Sequence, residues 1–132
     1  MRRTITVPPS AFTQPVTGIP LTGGQAQTTV GEGGTAQVSV GPVGLGVTWY
    51  PAQANISTTT GALDTSTCSV YIGSIAVANL QGGQSYAGGG DTVALSVPSM
   101  TQGDLLIAVW TGANPGDLAT LNIIGTMDAL VY

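Results

Sequence analysis

Apolar and polar residues alternate in short runs along this chain, and the runs are bounded by Gly and Pro. In the stretch 103–125, Leu105, Ile107 and Val109 alternate with Leu106, Ala108 and Trp110; after a break, Leu121 and Ile123 alternate with Asn122 and Ile124. Runs this short, rich in β-branched and aromatic residues, read as strands rather than helices. Between them lies Asn114-Pro115-Gly116-Asp117. Proline pre-sets φ at the second turn position and glycine accepts positive φ at the third, which is type II turn chemistry. The unit predicts an antiparallel hairpin whose first strand, apolar on both faces, belongs in the middle of a sandwich.

The same reading extends along the chain. Ala36-Gln37-Val38-Ser39-Val40 alternates cleanly, and 47–60 is the longest candidate, with Pro51 inside it implying an edge position or a bulge. Trp49 and Tyr50 are adjacent and must face opposite sides, so one belongs to the core and the other to the surface or an interface. Cys68, Val70 and Ile72 alternate with Ser69 and Tyr71, which puts the cysteine in the core row, and 74–80 continues after Gly73. Residues 82–90 read as a glycine-rich loop, and Val93, Leu95 and Val97 point inwards from 91–97. Met127, Ala129 and Val131 give the tail a last short strand. About seven or eight strands at spacings near 8–12 residues, with no helical period, predict an all-β fold: an antiparallel, jelly-roll-like β-sandwich.

Residues 1–30 are different. Pro8, Pro9, Pro15 and Pro20 stand among many Thr, Gln and Gly. Proline removes ladder donors and glycine costs conformational entropy, so no ordinary central strand or helix forms there. The expected division is an extended N-terminal arm over 1–30 and a sandwich domain over 31–132. The arm docks on its own domain or on a neighbour, with Thr4-Ile5-Thr6-Val7 as a short pairing strand. The start, MRRTITVPPS, is positive but lacks the apolar stretch of a secretory signal, so synthesis in the cytoplasm is expected.

Composition sharpens this picture. Charged residues make up 6% of the chain, against about a quarter in ordinary soluble proteins. Sheet edges are usually guarded by lysines and other charges; here there is no lysine, and the only cations are Arg2 and Arg3. The edges must therefore be covered by this chain or by neighbouring copies, which points to an assembly protein. No apolar run approaches the roughly 20 residues that span a bilayer as a helix, so no membrane is expected. Two arginines also make too small a footprint for nucleic acid, whose binding needs several cations.

Catalytic chemistry is short of parts. Without histidine there is no Ser-His-Asp triad, no Cys-His pair and no imidazole metal site. The single cysteine excludes an internal disulfide and a thiolate zinc cage, and the lack of lysine excludes a P-loop and a Schiff base. Gly31, Gly33 and Ala36 match a dinucleotide fingerprint, but a β alternation follows where a helix is needed. The six carboxylates are Glu32, Asp64, Asp91, Asp104, Asp117 and Asp128. Asp91, Asp104 and Asp117 each follow Gly at a strand start, where Asp caps turns through backbone contacts. A calcium site formed by these three at one end of the sandwich is the alternative, with no D-x-D spacing to support it. No catalytic, cofactor or metal residue is assigned, and no enzyme activity is expected.

Four segments carry a resemblance: Thr48-Trp49-Tyr50-Pro51, the run from Asp64 to Gly73 (DTSTCSVYIG), Gly88-Gly89-Gly90-Asp91-Thr92, and Val109-Trp110-Thr111-Gly112 with Pro115-Gly116-Asp117. Over roughly 40–127 the chain resembles small β-sandwich virion proteins of tailed phages infecting actinobacteria, of minor tail or head-decoration type. The resemblance implies a structural role in a virion, repeated copies, contact with major capsid or tail proteins, and no catalysis. It carries over no functional residue. The alternative is a carbohydrate-binding module for attachment to a host surface glycan, which needs two or more of Trp49, Tyr50, Tyr71, Tyr86 and Trp110 exposed together.

Overall fold

The computed structural model describes residues 14–59, 66–86 and 90–131. Its strands are β1 (Gln14–Pro20), β2 (Gln25–Thr29), β3 (Ala36–Val40), β4 (Thr48–Thr58), β5 (Ser66–Ile72), β6 (Leu80–Tyr86), β7 (Gly90–Ala94), β8 (Leu106–Thr111) and β9 (Leu118–Val131). They form two antiparallel sheets. The first runs β1-β9-β4-β7, with β2 also paired to β9; the second runs β3-β8-β5-β6. The protein is a β-sandwich, as its alternation predicts.

The pairing is nested. β1 and β2 take successive halves of β9, 126–131 and 118–122, and act as one interrupted edge strand. Inside that pair lie β3 with β8, then β4 with β7, then β5 with β6. A long antiparallel hairpin rolled so that its nested pairs alternate between two sheets is a jelly roll.

This nesting corrects the expected 103–125 hairpin. β8 pairs with β3 and β5 in one sheet, whereas β9 lies in the other. The turn chemistry itself holds: Gly116 has φ 89°, and the Asp117 N–H donates to the Asn114 carbonyl at 3.2 Å. A turn reverses the chain without choosing its partner, and here it carries the chain between sheets. β8 does sit in the middle of its sheet. Leu106, Ala108 and Trp110 are fully buried on its inner face, and Ile107 on the outer face is only 7% exposed.

Other expectations shift for local reasons. The tail is no separate strand but continues β9 through Gly125, opposite the β4 bulge between Pro51 and Gln53. A Cβ at Gly125 would run into the Tyr50 carbonyl, so glycine permits the close approach there. β4 is central, and Pro51 is accommodated by the bulge. Residues 74–79 form bends and one 3-10 turn, and the segment read as a glycine-rich loop supplies β6, an edge strand. Gly82 is the reason: a Cβ there would lie 2.9 Å from Val93 Cγ1, so a bare backbone lets β6 close against β7. The segment read as an arm contributes two edge strands over 14–29, so the sandwich extends well before residue 31. Residues 4–7 lie outside the described residues.

Between the sheets, Trp110, Ile56, Met100, Leu106, Leu121, Ile123, Val70, Val93 and Cys68 are fully buried. Trp49 joins this core at 3% exposure and exchanges backbone hydrogen bonds of 2.8 Å with Met100, which ties the 95–105 connection to the start of β4.

Candidate functional site

The strand registers set the two ends of the sandwich. Val40 at the end of β3 and Ile72 at the end of β5 both pair with Leu106 at the start of β8. The connections 41–47, 73–79 and 95–105 therefore leave the body level with one another. They are also stitched together. The Gly73 N–H donates to the Leu105 carbonyl at 2.8 Å, and the Gln102 side-chain amide donates to the Val43 carbonyl at 3.2 Å. Gly41 sits so close to Asp104 that a Cβ would strike its carbonyl oxygen.

These connections are glycine-broken but apolar. Val43, Leu45 and Val77 are 89%, 83% and 90% exposed, with Ile75, Leu80 and Leu105 partly exposed beside them. Asp104 is the only charged residue in the three connections. Its carboxylate accepts the Thr101 N–H at 2.9 Å, which closes its own turn. Around the corner, the free edges of β2 and β3 flank a groove of about 570 Å³ lined by Gln25, Ala26, Ser39, Val40, Pro42 and Leu105. Exposed apolar side chains with a single carboxylate among them make this end the candidate site, since burying them against a partner would remove apolar area from water.

The carboxylates do not gather. Asp104 precedes β8 at the apolar end, while Asp117 precedes β9 at the opposite end. Asp91 shares the Asp117 end, because Ile56, its partner in β4, lies next to Ser57, which pairs with Thr120. Asp91, inside β7, accepts the N–H of its neighbour Thr92 at 2.8 Å. Among the described residues no group of three or more His, Cys, Asp or Glu is placed to hold a metal ion. Asp64 lies outside the described residues.

The aromatic candidates separate as well. Trp49 and Trp110 are core residues. Tyr50 lies on the outer face of the first sheet and Tyr71 on the outer face of the second, so the two share no platform. The side chain of Tyr86 lies outside the described residues. Tyr50, 39% exposed, donates its hydroxyl to Asp128 Oδ2 at 2.8 Å, and Asp128 Oδ1 accepts the Gly18 N–H at 3.0 Å. This hydrogen bond to a carboxylate holds the Tyr50 phenol above its ordinary pKa. The constellation pins β1 at its bulge, where Gly18 has φ 66°. Burial pushes the Cys68 thiol up to about 12, so it is no nucleophile near neutral pH.

Sequence reasoning placed 74–80 in a strand and 41–46 among turn residues, and so missed the apolar end. The available signal was apolar residues inside glycine-broken turns: Val43 and Leu45 in GPVGLG, Ile75 and Val77 after Gly73-Ser74.

No family model and no curated protein sequence matches this chain. Among solved structures it is similar to PirA, with a TM-score of 0.44 and 16% identity over 78% of this chain and 95% of that one. It is also similar to part of an infectious bursal disease virus (Gt strain) structure, with a TM-score of 0.34 and 9% identity over 98% of this chain and 36% of that one. A family two carbohydrate esterase from Clostridium thermocellum gives a TM-score of 0.35 and 14% identity over 81% of this chain and 33% of that one. In the two latter cases this chain spans about a third of the other's length. Among the described residues, no helix is long and apolar enough to cross a membrane.

Proposed function

We propose that this protein is a non-enzymatic structural component of a tailed-phage virion, of decoration or minor tail type, that packs in multiple copies. The observation that carries the reading is the apolar end built by 41–47, 73–79 and 95–105, in which Asp104 is the one charged residue. Isolated domains seldom leave such a surface to water. The phage assignment itself rests on the resemblance at residues 48–51, 64–73, 88–92 and 109–112 with 115–117. Its partners are other copies and the major capsid or tail proteins, and its location is the virion, after synthesis in the host cytoplasm.

The carbohydrate-binding alternative has less support, because both tryptophans are buried and Tyr50 and Tyr71 face opposite ways. Light scattering across a concentration series separates the two readings. A defined multimer is the expected result. A monomer at every concentration that binds soluble oligosaccharide saturably would replace the assembly reading with the sugar-binding one.

A further inference from the structure

We infer that the apolar end is the acceptor for residues 1–13 of a second copy, so that neighbouring copies are joined by exchanged N-terminal arms; this rests on the assembly reading above. Three observations meet at one place. The first is where the arm leaves the body. Gln14 pairs with Val131, three residues beyond the Thr48–Asp128 pair that opens β4. Because 41–47 leads directly into β4, the arm emerges at the same end as Val43 and Leu45. Loop 41–44, Thr22, Gly23 and Met127 also line one common cleft there.

The second observation is chemical complementarity. The acceptor end offers exposed Val43, Leu45, Ile75, Val77 and Leu105. Residues 1–13 carry Ile5, Val7 and Phe12, the only phenylalanine of the chain. Both cations of the chain, Arg2 and Arg3, are in this segment, while all six acidic residues lie outside it. The charges at or beside the acceptor end are the carboxylates of Asp104 and Asp128. A segment with two arginines near its start and Ile5, Val7 and Phe12 after them fits a surface that is apolar with a carboxylate rim.

The third is reach and stiffness. Thirteen extended residues span about 40 Å at about 3.3 Å each, comparable to the length of β9. Residues 1–13 contain no glycine, and Pro8-Pro9 holds φ in the extended range. β1 runs inwards from this end, so a segment that continues its line points away from its own sheet. The arm therefore suits a neighbour better than its own body. Phe12, the largest apolar side chain of the segment, is the anchor, with Thr4-Ile5-Thr6-Val7 farther along the chain.

The test uses the full chain with photoreactive benzoylphenylalanine replacing Phe12, in an equal mixture of ¹⁵N-labelled and unlabelled copies. After irradiation, mass spectrometry should find residue 12 joined to 41–47, 73–80 or Leu105, in pairs of mixed isotope. Joins confined to single chains, joins elsewhere, or no joins overturn the inference. Light scattering on the same sample keeps the two levels apart. A multimer with joins elsewhere removes arm exchange and leaves the assembly reading, whereas a monomer without joins removes both. The double variant Leu45→Asp with Val77→Asp alters side chains that are 83% and 90% exposed, so its melting temperature should stay within a few degrees. The yield of mixed pairs should fall at least tenfold; an unchanged yield overturns the inference.

Discussion

Cys68 and Tyr50 show how its surroundings change a residue's chemistry, by burial in one case and by a carboxylate partner in the other. Cys68 sits in the inward row of β5 with no exposed surface, and its thiol is raised to about 12. A folded-state pKa above the unfolded one means that the unfolded chain loses the proton first. The stability this thiol contributes is full below its ordinary range and is lost as pH rises towards 12. Unfolding by base should thus become progressively easier over that window, and Cys68→Ala should flatten the dependence. In the native state a thiol reagent such as Ellman's should leave Cys68 unmodified at pH 8, with one equivalent reacting in denaturant. Tyr50 follows the same sign through another cause, the Asp128 carboxylate on its hydroxyl. Replacing Asp128→Asn should lower the Tyr50 phenol pKa towards its ordinary value in an ultraviolet pH titration, with Tyr50→Phe identifying the step. An unmoved step would show that the carboxylate does not govern it. The inward place of Cys68 and the opposite facing of Trp49 and Tyr50 were legible in the period-2 alternation alone. The Asp128 partner was not, because 78 residues separate it from Tyr50.

At the scale of the strand, alternation located β3, β4, β5 and β8, whose buried and exposed positions follow the pattern read from the chain. It failed where glycine and proline lie within strands. β1 contains Pro15, Gly18 and Pro20, and β6 contains Gly82 and Gly83. Both are edge strands, where a missing donor or side chain is tolerated because one side of the ladder has no strand to bond. The glycines have a packing role that substitution exposes. A Cβ at Gly125 would meet the Tyr50 carbonyl and lie 2.9 Å from Pro51 Cα, both backbone and unable to swing away. Gly125→Ala should cost about 1–3 kcal/mol, the range of overpacking, read as a fall in denaturation midpoint. Gly33→Ala, where a Cβ meets nothing within 4 Å, is the control and should change little. Trp110→Ala, from the fully buried centre of β8, should cost about 3–5 kcal/mol.

For the whole molecule, truncation separates arm from sandwich. Removing residues 1–13 should leave the melting temperature within a few degrees and abolish self-association. Removing 1–29 should instead destabilise the fold, because β9 keeps β4 but loses its partners on the other side, along 118–122 and 126–131. Equal stability of the two truncations, measured by circular dichroism melts, would show that β1 and β2 contribute nothing to the sheet. Iodide should quench little of the native tryptophan fluorescence, since Trp49 and Trp110 are 3% and 0% exposed. Strong quenching would place a tryptophan at the surface and return weight to sugar binding.

Local chemistry was enough to make this chain an all-β sandwich. The period-2 alternation selects strands with one buried face, and Gly and Pro set the turns, down to the positive φ of Gly116. Partner choice was beyond it. An apolar run followed by a turn and another run satisfies its inward face equally well as a hairpin in one sheet or as a crossover between two. The core settles this by closing: β8 and β9 face each other across the sandwich, each paired with strands far away in sequence. The same closure decides which apolar residues find a core and which do not. Val93 is enclosed, whereas Val43 and Val77, no less apolar, are left in water because the strands end before them.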